Sequence, residues 1–114
     1  MHGKSQWRIP EVDERSTFDQ ARIRNWLSVT CGWGLHTPNG VVSVLGVAQD
    51  HNRQLFVAKF IANAAPALWH GYPADHQRNP QDIPGIEVLR DWMISGLLTA
   101  AKIRKLTRGQ PCNL

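Results

Sequence analysis

A chain of 114 residues, 42% of them hydrophobic, fits one domain with its own core; it leaves no room for two ordinary domains and excludes disorder throughout. Its two cysteines, Cys31 and Cys112, are too few for a disulfide framework and match no zinc-ligand spacing, so they read as free thiols of a reducing compartment. The net charge of +4 sits in the tail: residues 1–96 balance nine basic against nine acidic side chains, and residues 97–114 add Lys102, Arg104, Lys105 and Arg108 with no acid.

In chain order, residues 1–15 mix charge, Pro and Gly and read as a flexible arm ahead of a single domain over 16–114. Ser16 suits a helix N-cap, Asp19 suits the first turn, and Phe18, Ala21, Arg22 and Trp26 recur at helical spacing, which predicts a helix over about 17–28. Cys31-Gly32-Trp33-Gly34 reads as a break, because two glycines interrupt any regular pattern. Thr37-Pro38-Asn39-Gly40 is a turn signal.

Val41 to Ala48 reads as a central strand, apolar on both faces. The polar break Asp50-His51-Asn52-Arg53 leads into a hairpin partner over Leu55 to Ala62, with Lys59 on a partly wet face. A third strand runs from Ala67 to Tyr72, set off by Ala65-Pro66 and Pro73 as an edge. A polar loop over 73–83 follows, then a helix opening at Pro84 with Ile86, Leu89, Trp92, Met93 and Leu97 at helical spacing. Ser95-Gly96 ends it, Thr99 caps a second helix, and Gly109 stops that one before Pro111. The expected architecture is α+β: an N-terminal helix, a three-stranded antiparallel β-meander and two C-terminal helices packed on one face of the sheet.

The loop after the third strand carries most of the chemistry-bearing side chains. Trp69, His70 and Tyr72 lead into it, and Asp75, His76, Asn79 and Asp82 lie within it. An imidazole beside a carboxylate is the minimum for proton transfer, which nominates His70 with Asp75 or Asp82. The bland account makes Asp82 a helix cap, Asp75 and Asn79 Asx-turn residues, and His70 a satisfied core histidine. The histidines and carboxylates of this loop do not stand one helical turn apart, so no metal is expected. No P-loop, G-x-G-x-x-G fingerprint or G-x-S-x-G elbow is present, which points away from most cofactor enzymes, and no cofactor is expected.

Of five tryptophans, Trp26 and Trp92 fall on apolar helix stripes and read as core. Trp33 and Trp69 suit a pocket, and Trp7 suits docking of the arm onto the body or onto a second subunit. On the last helix Arg104, Lys105 and Arg108 lie opposite Ala100, Ile103 and Leu106, with Lys102 at the border, which gives either a solvated face or an anion-binding one. A helix-turn-helix fits poorly, since Asp91, Ser95, Lys102 and Lys105 occupy apolar positions of that motif.

Trp69-His70-Gly71-Tyr72-Pro73, Asp82-Ile83-Pro84, Trp92, Gly96, and the run from Ile103-Arg104-Lys105-Leu106 to Gly109-Gln110-Pro111-Cys112 give residues 55–114 a resemblance to short uncharacterised bacterial proteins of the mobile gene cassette type. That resemblance implies an accessory bacterial protein and brings no activity or functional residue with it.

The expected function is a non-catalytic binding module. It would recognise a protein or small anionic ligand through Trp33, Trp69, His70, Tyr72, Asp75 and Asp82 together with the basic helix. The alternatives are nucleic-acid binding through Lys102, Arg104, Lys105 and Arg108, and a small hydrolase or transferase built on His70. A small sheet leaves edges to cover, so a homodimer is expected. With no apolar run near the length of about 18 residues that spans a membrane, and no apolar signal core, the expected location is cytoplasmic with no membrane partner.

Overall fold

The computed structural model describes residues 4–62 and 68–114. In order they form β1 (Gln6–Trp7), α1 (Glu11–Ile23), β2 (Cys31–Leu35), β3 (Gly46–Val47), β4 (Gln54–Leu55), β5 (Val57–Ala62), β6 (Trp69–Pro73), a 3-10 turn (Pro80–Asp82), α2 (Ile86–Ile94) and α3 (Ala100–Thr107). The class is α+β, with three α-helices and two three-stranded antiparallel sheets, ordered β1-β3-β4 and β2-β5-β6, among the described residues.

The expected single meander is divided between two sheets. The predicted strand over 41–48 is reduced to the two residues of β3, preceded by an isolated bridge from Ser43 to His36. β3 still pairs with β4 as the expected hairpin and is the central strand of its sheet. The chain breaks pairing at Phe56 and resumes as β5, so one run of sequence serves both sheets. β5 pairs with β6 as expected, but its other neighbour is β2. The Ala65-Pro66 break and Ala67 lie outside the described residues.

β2 occupies the segment read as a break, and its glycines explain why. A Cβ on Gly32 would lie 2.0 Å from Leu27 Cδ2, and one on Gly34 would lie 2.9 Å from Thr17 Cγ2. These glycines are there for close approach of α1 and its exit loop, and both are buried in an extended strand. α1 runs over Glu11–Ile23 instead of the expected 17–28, so it starts ahead of the expected cap Ser16 and ends before Trp26. Pro10 holds the N-cap at φ −60°, and Glu11, Asp13 and Glu14 complement the helix dipole in the first turn. Ser16 is therefore internal, its hydroxyl donating to Val12 O at 3.0 Å.

Direct cross-strand partners share a face of a sheet. The register puts Gly32, Phe60 and Gly71 on one face and Trp33, Lys59 and Tyr72 on the other. α1 covers the first face: the Phe18 ring meets Phe60 edge-on at 5.1 Å and Trp69 at 5.7 Å. The second face is covered by the loop that follows β6.

α2, α3 and the turn between them join the common core through Leu89, Trp92, Leu106 and the turn's Leu98. Trp92 packs edge-on against Trp26 at 5.6 Å, and Trp26 Nε1 donates to Asp91 Oδ2 at 2.7 Å, which fixes α2 to the α1–β2 connection. The predicted helix punctuation is present: Gly96 and Gly109 adopt φ of +77° and +66°, and Thr99 Oγ1 accepts the Lys102 amide at 3.2 Å. α2 starts at Ile86 behind Gly85, so Asp82 is not its cap. No helix of the described residues is long and apolar enough to cross a membrane.

Candidate functional site: a cleft along the outer edge of β6

β6 is an edge strand, and Pro73, which has no amide hydrogen, suits that position. The arm covers the edge through side chains: Trp7 Nε1 donates to Gly71 O at 3.3 Å and Ser5 Oγ to Pro73 O at 2.5 Å. Between β1, β6 and the loop after β6 lies a cleft of about 800 Å³. Trp7, Trp69, His70, Tyr72, Asp75 and Asp82 line it, and Lys4, Arg78 and Glu14 add further charged groups.

The two aspartates are held from the protein side. Asp82 is 3% exposed and accepts the Asp75 amide at 2.9 Å, the Tyr72 hydroxyl at 3.1 Å and Lys59 Nζ at 3.4 Å. Lys59 also donates to Gln81 O at 2.5 Å and lies 5.2 Å from the centre of the Trp33 ring. The wet face expected for Lys59 is therefore dry: the loop over 74–85 covers it, and the amine is fully engaged. Burial pushes the Tyr72 phenol well above its ordinary value, and the Asp82 charge adds to the shift.

Asp75 receives a two-pronged contact from Arg53, with Nη1–Oδ1 and Nη2–Oδ2 both at 2.6 Å. Burial alone would raise its pKa. The Arg53 hydrogen bonds and charge, with the Gln77 and Arg78 amides, outweigh burial and hold it below the usual carboxylate range. The same contact raises the Arg53 guanidinium further. Glu14 differs: no cation pairs with it among the described residues, and partial burial, then neighbouring Glu11, raise its pKa.

The structure gathers five of the six nominated pocket residues, Trp69, His70, Tyr72, Asp75 and Asp82, on one cleft. Trp33 is not among them; it is 7% exposed and sits beneath Lys59. His70 is exposed and hydrogen-bonds to neither Asp75 nor Asp82 among the described residues, so no imidazole–carboxylate pair forms there. His76 is buried with Nε2 at 2.7 Å from Gln110 O; a carbonyl only accepts, so Nε2 carries the hydrogen and the ring anchors the C-terminal tail to the loop. Lys4, Arg78 and Glu14 were not singled out from the sequence. For Arg78 the signal was available, as the only cation of the polar loop over 73–83.

The basic helix stands apart from the cleft. Arg104, Lys105 and Arg108 are exposed and Lys102 is half-buried. All nine side-chain carboxylates lie in the described residues, and none is within 4.0 Å of these four cations. Both cysteines are free thiols, and burial raises the pKa of Cys112. Comparison with protein families, curated proteins and solved structures found no match to this chain.

Proposed function

We propose that the protein is a non-catalytic binding module that takes a small anionic ligand with a flat apolar body in the β6 cleft. The supporting observation is the asymmetry of charge there. Arg53 and Lys59 neutralise Asp75 and Asp82 from the protein side, whereas Lys4 and Arg78 have no carboxylate partner among the described residues. Trp7, Trp69 and Tyr72 add planar apolar surface, the usual lining of a small-molecule site with a few polar groups to set orientation. A catalytic reading has less support, because the carboxylates that would orient His70 already have other partners.

The test is a tryptophan-fluorescence titration with adenosine 5′-monophosphate and adenosine, which share a planar base and differ by a phosphate. The monophosphate should bind about tenfold more tightly, the size of one charge-assisted contact of about 1.4 kcal/mol. Lys4→Ala/Arg78→Ala should remove that preference, and Trp69→Ala should weaken both ligands. Equal affinity for the two ligands, or a preference that survives Lys4→Ala/Arg78→Ala, would reject the reading.

A further inference from the structure

A second surface, on α3 and outside the lining of the cleft, has its own unmatched charge. α3 turns about 100° per residue, which places Arg104, Lys105 and Arg108 around one exposed side with the small Ala101 among them. Leu106 is 1% exposed and Ile103 is half-buried, so the apolar side is used up in the core. Arg104 and Arg108 stand one turn apart, about 6 Å along the axis. Arg104 and Lys105 lie in the last turn, where free carbonyls favour cations, yet no carboxylate approaches any of the four basic side chains.

We infer that this face of α3 binds the phosphate backbone of duplex nucleic acid without reading its bases. A row of exposed, unpaired cations on a rigid element is the electrostatic complement of a regular line of phosphates. A lipid surface fits less well: a helix that lies in a membrane interface exposes large apolar side chains beside its cations, and here Ile103 and Leu106 face inward. A protein surface fits less well too, because the cationic face offers no aromatic or large apolar anchor. The inference does not depend on the cleft, since none of the four residues lines it.

The experiment follows the anisotropy of a fluorescein-labelled 20-base-pair DNA duplex titrated with the full chain from 50 to 200 mM KCl. Three or four phosphate contacts give a slope of log K against log[KCl] of about −3. The double variant Arg104→Gln/Arg108→Gln should flatten it by about 2, one contact for each arginine. Arg15→Gln/Arg22→Gln removes the same charge from α1 and should leave the slope unchanged. Arg78→Ala should leave duplex binding intact, which separates this surface from the cleft.

Four results would overturn the inference: no binding at 50 mM KCl; the same flattening in the α1 control; a preference above about tenfold between two unrelated duplexes; or tighter binding to phosphatidylserine vesicles than to the duplex.

Discussion

Two groups of charges in this small domain have opposite fates. Under the β2-β5-β6 sheet, Lys59, Asp82, Arg53 and Asp75 are largely withdrawn from water and matched to one another. On α3, Arg104, Lys105 and Arg108 stay in water with no acid within reach. A charge moved into a low dielectric must be paired and hydrogen-bonded, and its removal is felt by the fold. A charge left in water has little effect on the fold and is free to meet an outside partner. The first group should therefore read out in stability and the second in binding.

The comparison breaks most visibly at Asp82. Asp82→Ala leaves the Lys59 ammonium buried, frees the Asp75 amide and removes the acceptor of the Tyr72 hydroxyl. Loss of one partner of a buried pair costs about 3–5 kcal/mol, and thermal or urea denaturation should show a fall of that size. A loss under about 1 kcal/mol would mean that the loop over 74–85 is held by something other than this carboxylate.

The Arg53–Asp75 contact comes next. Arg53 is 27% exposed at its side chain, so Arg53→Met should cost less, about 1.5–3 kcal/mol for its charged hydrogen bonds. Its pH signature is distinct. The folded-state pKa of Asp75 is depressed, so its contribution is complete above the ordinary aspartate value of 3.8 and is lost as pH falls below it. Wild type and Arg53→Met should differ most near neutral pH and converge in acid. A gap that widens in acid would show that Asp75 is not the partner that matters.

Much of the local punctuation was legible in the chain, because it depends on residues close in sequence. Gly96, Thr99 and Gly109 mark the ends of α2 and α3, and each does so through its own backbone or side chain. The hairpin from Gly46 to Leu55 and the pairing of β5 with β6 are legible for the same reason. β2 was hidden because its glycines serve contacts with Leu27 and Thr17, which no local pattern encodes. Lys59 looked wet because its cover, Gln81 and Asp82, arrives more than twenty residues later. The cleft shows the same divide: Trp69, His70 and Tyr72 stood out as neighbours, whereas Lys4, Trp7 and Glu14 come from the far end of the chain.

Glu14 sharpens the comparison within the cleft, since it is a carboxylate in that region with no basic partner among the described residues. Its charge opposes an anionic ligand, so Glu14→Gln should strengthen binding of adenosine monophosphate about two- to threefold, the scale of one charge interaction through water. Adenosine should be unaffected. The raised pKa of Glu14 means that protonation removes the same charge as pH falls. The advantage of the variant should therefore shrink toward acid pH; an advantage independent of pH would place the effect in shape rather than charge.

The smallest stability effect belongs to α3. In Arg104→Gln/Arg108→Gln, loss of favourable interaction with the helix C-terminus, about 0.3–1 kcal/mol per cation, is offset by relief of repulsion at i,i+4, about 0.2–0.5 kcal/mol, and by reduced crowding with Lys105. Gln keeps nearly the helix propensity of Arg. Chemical denaturation should then put the variant within about 1 kcal/mol of the wild type. The same protein that loses salt-dependent duplex binding should thus unfold normally. If it unfolds much earlier, these arginines hold the fold together through contacts that their exposure conceals, and the separation between charges that build the domain and charges that face outward fails at α3.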